Sequence, residues 1–161
     1  MTKRAVAVLD VMWDPSNAGR KAPRHFKINP QNHTGRRLYK WLGDKYELLV
    51  TNACSQIVAN ANGRGRPDSC WLAENLQRLQ PIDLLLVCGE TAFNTFDDTG
   101  INTGYSERVL VLPHPAFRGW SKQGIDLVHS LIQHGSSSAR VALSNGRFKA
   151  TILREEEFIP F

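Results

Sequence analysis

Four short segments carry residue types able to do chemistry: MWDPSN at 12–17, VTNACSQ at 50–56, VCGETAFNTF at 87–96 and VLPHPAFRGWS at 111–121. Asp14 offers a carboxylate that can stabilise a developing cation or orient a water molecule. Its setting, Asp-Pro-Ser-Asn, is also a common way to open a turn. His114 can donate a hydrogen bond to negative charge as it accumulates. It can equally be a satisfied structural histidine, and no second His or Cys lies at the spacing a metal site would need. Asn52 presents both a donor and an acceptor on one amide, which suits reading the edge of a base and also suits capping a turn.

These segments are useful only if something rigid brings them together, and the hydrophobic pattern supplies it. Runs rich in Val and Leu at Ala5 to Leu9, Glu47 to Thr51, Leu84 to Cys88 and Val109 to Leu112 are bounded by polar or turn residues and predict buried strands. Helical spacing lies between them. Leu38, Trp41 and Leu42 share a face over Arg36 to Leu42, and Leu72, Leu76 and Leu79 recur between an Asp68 cap and Pro81. A shorter helix is predicted over Thr91 to Phe96. A last one runs from a Ser121 cap through Ile125, Val128, Leu131 and Ile132 to Gly135.

The alternation β-α-β-α-β-α-β-α predicts an α/β fold, a three-layer α/β/α sandwich with a central, mostly parallel four-stranded sheet. After the joint at Gly135 to Ser138, RVALSNGRFKATIL reads as a β-hairpin turning at Asn145-Gly146 and packed on the sheet edge. One domain is expected. Residues 1–135 form the α/β unit, and residues 136–161 form the hairpin and an acidic tail packed on it. In open α/β sheets the site forms at the carboxyl ends of the strands, where all four chemical segments begin.

Taken in order, a strand followed by Asp-Pro, a strand ending Thr-Asn, a Cys-Gly-Glu-Thr-Ala turn into a helix, and a strand ending in His-Pro resemble the uracil-DNA glycosylase superfamily. The resemblance covers roughly residues 5 to 134, and Leu48 to Ala92 is most similar to the thermostable, iron-sulfur branch. It implies a monofunctional, metal-independent DNA glycosylase that hydrolyses the N-glycosidic bond of a flipped-out uracil or modified pyrimidine. Asp14 would act beneath the sugar and His114 would donate to the pyrimidine O2. Asn52 would read the base, Phe26 would stack on it, and Ser16 would leave room beside C5 where a stricter branch has tyrosine; Asn17 adjoins Ser16 in the same base-binding loop. Arg118 stands where relatives place a wedge residue, and Ser121, Lys122, Arg64 and Arg66 are the further DNA-binding candidates.

This chain departs from the resemblance in two ways. Met12 or Trp13 occupies the region where the first motif usually begins with glycine. Of the four cluster cysteines only Cys70 has a counterpart, because Gln56 stands in place of another, so no cluster and no cofactor is expected. A glycosylase-like protein that binds DNA or a nucleobase without cutting is the competing reading. Neither GxGxxG nor GxxxxGK[ST] occurs to support an ordinary nucleotide-binding domain.

Composition agrees with a polyanionic partner. The 161 residues carry 20 Lys and Arg against 15 Asp and Glu, a net charge of +5. Arg20, Lys21, Arg24, Lys27, Arg36, Arg37, Lys40, Arg64 and Arg66 crowd the first half, while Glu155, Glu156 and Glu157 lie at the other end. The expected partner is DNA, single- or double-stranded, bound by a monomer. No apolar stretch reaches the roughly 20 residues of a membrane span, and MTKRAVAVLD meets Asp10 before a signal-type apolar region is complete, so a cytoplasmic protein is expected. Cys54, Cys70 and Cys88 are odd in number and lack a CxxC pair, which predicts buried free thiols.

Overall fold

A computed structural model describes residues 2–100 and 105–153. The strands are β1 (Lys3–Leu9), β2 (Tyr46–Asn52), β3 (Leu84–Cys88), β4 (Val109–Leu112), β5 (Ala139–Ser144) and β6 (Arg147–Ile152). The helices are α1 (His33–Leu42), α2 (Ser69–Leu79), α3 (Glu90–Asp98) and α4 (Lys122–His134). The strands form a single mixed sheet in the order β2-β1-β3-β4-β5-β6, parallel except for the last pair.

The four predicted strands and four predicted helices are all present, but the sheet has six strands rather than four. β5 hydrogen-bonds to β4 in parallel, so α4 is a true crossover and the hairpin continues the sheet instead of resting against it. Its turn is built as Asn-Gly chemistry requires, with φ of 53° at Asn145 and 76° at Gly146. The hairpin contributes Val141 and Phe148 to the main core. The acidic tail at Glu155 to Glu157 lies outside the described residues.

Alternation along the strands divides the core into two. Ala5, Ala7 and Leu9 face α1 and α4, with Leu38, Trp41, Val128 and Ile132, whereas Val6 and Val8 face α2 and α3, with Leu72, Leu76 and Phe96. Each fully buried Leu or Val contributes about 1.5–3 kcal/mol, so both helical layers are held firmly to the sheet. α1 begins a turn earlier than predicted because Asn32, not a residue beside Arg36, caps it by accepting the Gly35 N–H at 2.7 Å. The C-terminus of α4 is closed by the buried Arg108, whose guanidinium donates to the carbonyls of Leu131, Ile132 and Ser137. Among the described residues, no helix is long and apolar enough to cross a membrane.

Candidate functional site

Register aligns the carboxyl ends of the first four strands. Leu9 lies beside Asn52, Val8 beside Val87, and Cys88 beside Leu112. Along that edge the order is therefore Asn52 at the end of β2, Asp10 just after β1, Gly89 just after β3, and His114 two residues beyond β4. Asp10 and His114 stand two strand spacings apart, about 10 Å between backbones. The strand end between them carries no side chain. Gly89 has φ of 97°, which favours glycine, and a Cβ there would lie 3.6 Å from the His114 Cβ.

His114 is held in one chemical form. Its Nδ1 accepts the Ala116 backbone N–H at 3.0 Å, so in the neutral ring the proton sits on Nε2 and that atom is a donor. Burial holds its pKa below the usual 6.5, against an opposing pull from the Asp10 carboxylate. The loop is pinned as well. The His114 carbonyl accepts from the Phe117 N–H and from Trp120 Nε1, both at 2.9 Å, and Arg37 reaches from α1 to the Pro115 carbonyl at 3.0 Å. Trp120 is fixed in turn, edge-on to Trp41 and stacked on Phe148 at 4.7 Å.

The loops after β1 and β2 interlock into a small extension of the sheet. Residues 54–58 run between two arms of the longer loop. Met12 and Asp14 bond to Val58 on one side, while Gly19, Arg20 and Ala22 bond to Ile57 and Ser55 on the other. Met12, Ala22, Ile57 and Trp71 make its separate core. Met12 thus has a packing role here.

Asp14 lies at the tip of this extension. It caps the 3-10 turn Pro15–Asn17, accepting the Ser16 N–H at 2.9 Å and the Asn17 side-chain amide at 2.8 Å, and these bonds lower its pKa. Asp10 lies at the floor. The Cys54 thiol donates to its Oδ1 at 3.7 Å, and burial together with this carboxylate pushes that thiol up to about 12. Asp10 is also the charge that acts on His114. Sequence reasoning passed over Asp10 in favour of the Asp-Pro motif, although the position immediately after a strand is where such folds place chemistry.

Asn52 is 2% exposed and, among the described residues, its side-chain amide has no hydrogen-bond partner. Its neighbour Thr51 is satisfied, donating to the Arg24 carbonyl and accepting from Asn75.

The other expected residues are dispersed. Phe26 pairs its backbone with Val50 and packs its ring against the main core, which leaves it half-buried. Ser16 is exposed on the 3-10 turn, with Asn17 beside it engaged by Asp14. Ser121 caps α4 through the Gly124 N–H at 3.2 Å, and Lys122 and Arg118 are exposed next to it. Arg64 and Arg66 project from the loop before α2. The glycine between them lies so close that a Cβ would fall 2.7 Å from both the Cys54 Sγ and a Val11 methyl. Cys70 is exposed, contrary to expectation, because Trp71 and Leu72 take the inward positions of that turn. Among the described residues no three His, Cys, Asp or Glu side chains gather to hold a metal ion.

No protein-family model, no curated protein and no solved structure matches this chain. Its chemistry has to be read from the site.

An open cleft of about 540 Å³ adjoins His114, lined also by Gly89, Glu90, Pro113, Ala116 and Phe117. Asp10 and Asn52 do not line it. Phe117, 41% exposed, stands at its rim, an aromatic that sequence reasoning missed beside Arg118. The available signal was its place within His-Pro-Ala-Phe, three residues past the histidine.

Proposed function

We propose that this chain hydrolyses the N-glycosidic bond of a pyrimidine nucleotide extruded from DNA. The observation that carries the proposal is the state of His114: a neutral imidazole, held by the Ala116 N–H and by burial, with Nε2–H as its free donor beside an open cleft. As the bond between C1′ and the base breaks, electrons collect on the base and reach its O2. The Nε2–H donor there stabilises the departing anion. The sugar becomes cationic as water approaches C1′, and a carboxylate beneath it stabilises that charge and orients the water. We assign this part to Asp10, which acts on His114 and follows the β1 strand end, and give Asp14 the holding of the 3-10 turn. Asn52, at the end of β2 on the same sheet edge, is assigned to the base edge, and the missing side chain at Gly89 leaves space beside His114.

The test is single-turnover release of free base from oligonucleotides carrying uracil, thymine mismatches, hypoxanthine or 5-substituted pyrimidines. At least one should be cleaved, and His114→Ala should slow its release by about 10²–10³-fold, the usual cost of one such donor. Equal release by wild type and His114→Ala refutes the assignment. A second reading, recognition of a base without cleavage, is favoured by one observation: Asp10 does not line the cleft beside His114. Binding of a substrate oligonucleotide with no base released by wild type would establish that reading instead.

A further inference from the structure

His33, Arg36, Arg37 and Lys40 recur at intervals of three and four residues and so share one face of α1. They line a groove of about 220 Å³ floored by Trp41 and by Ile125 of α4. A second cleft, of about 540 Å³, shares His33 and Arg37 and adds Phe117, Arg118 and Trp120. The His114 cleft shares Phe117 with this second one. The three therefore form one path, from the neutral histidine past an exposed aromatic ring into a channel of cations.

No carboxylate lines either of the two basic sections, and α1 contains no acidic residue. Among the described residues the one salt bridge is Arg24 to Glu74, on another surface, so these cations are uncompensated. Arg37 spends one nitrogen on the Pro115 carbonyl, which ties this face of α1 directly to the His114 loop.

We propose that this path is the track for a single strand of nucleic acid, its phosphodiester backbone lying along His33, Arg36, Arg37, Lys40 and Arg118 and a base stacking on Phe117. The proposal rests on the nucleic-acid reading of the site and names the form of the partner. A single strand is favoured over a duplex by the ring. Phe117 is exposed among these cations, where it can stack on bases that are already unstacked. A duplex hides its base faces from Phe117.

The experiment is fluorescence anisotropy with a labelled oligo-deoxyadenylate, which holds no pyrimidine, and with the same strand annealed to its complement. Single-strand binding is thus measured whether or not the chain cleaves anything, and because the complement is all pyrimidine, free base is assayed alongside the duplex arm. The groove variant is Arg36→Gln/Lys40→Gln, both exposed on α1, and the control is Arg147→Gln/Lys149→Gln on β6, which removes the same charge elsewhere. The groove variant is expected to lose at least about tenfold in single-strand affinity. The slope of log K against log salt should fall by about 1.4, the value for two phosphate contacts on a single strand. Phe117→Ala should lose about fivefold or more with the slope unchanged, as stacking is not a counterion effect. Equal losses in the groove and control variants overturn the proposal. So does a duplex bound as tightly as the single strand. Failure of base release with these binding results intact would refute the glycosylase assignment alone.

Discussion

Gly124→Ala probes the clamp that ties the hairpin to the His114 loop, and its sign is decided by competing magnitudes. In an exposed helix interior, replacing glycine with alanine stabilises by about 0.8–1.0 kcal/mol. Here the new Cβ would fall 2.4, 2.6 and 2.8 Å from three ring carbons of Phe148, well inside contact distance. That ring is 2% exposed and stacked on Trp120 with 10° between planes, so it has little room to retreat. Overpacking of this kind costs about 1–3 kcal/mol, and it should outweigh the propensity gain. Gly124→Ala is therefore expected to lower the urea unfolding free energy by up to about 2 kcal/mol, with a change in tryptophan fluorescence as Trp120 shifts. Phe148→Ala should cost about 3–5 kcal/mol alone. Added to Phe148→Ala, the alanine at 124 should become neutral or stabilising, since its obstacle is gone, which gives a clear coupling in the double-mutant cycle. Stabilisation of the otherwise wild-type chain by Gly124→Ala would show that Phe148 is free to move and that the hairpin does not clamp α4.

Asp10→Asn should slow base release by more than about tenfold, whereas Asp14→Asn, which keeps an acceptor oxygen to cap its turn, should act less on the rate; the reverse ranking in single-turnover assays would return the catalytic carboxylate to Asp14. Because burial lowers the His114 pKa, release should persist as pH falls through 6.5 and decline only once the ring is protonated below it; a rate that rises on acidification would mean the imidazolium is the active form. The same shift has a stability consequence: below about pH 6.5 the unfolded chain takes up this proton before the folded one, so the His114 contribution turns against the fold as pH falls. His114→Gln should flatten that part of the dependence in urea titrations between pH 7 and 5.5. Cys70 is exposed, while burial raises the pKa of both Cys54 and Cys88, so a thiol reagent should label one cysteine per native chain and three in denaturant; rapid labelling of two or more in the native state would contradict the burial described.

The local sequence by itself determined the elements. Strand positions were legible because β1, β3 and β4 are buried on both faces and read as unbroken Val and Leu runs. The caps at Asp68 and Ser121 were legible because capping is a matter of three or four neighbouring residues. The first helix was read a turn short because its start depends on one asparagine, Asn32, with no apolar residue in the turn that follows to mark it. The hairpin strands were recognised, but pairing of Ala139 with Leu110 joins residues far apart in the chain, and no local pattern reports such a partner.

The same division holds at the site. That His114 follows a strand end could be read directly, but its tautomer depends on the Ala116 N–H and its burial on the surrounding loops. Asp14 attracted notice through the residues next to it, and those residues are the ones from which its oxygens accept. Asp10 carries no motif. Only strand order sets it two positions from His114, with an empty glycine between them, because parallel crossovers bring distant strand ends to one edge of the sheet.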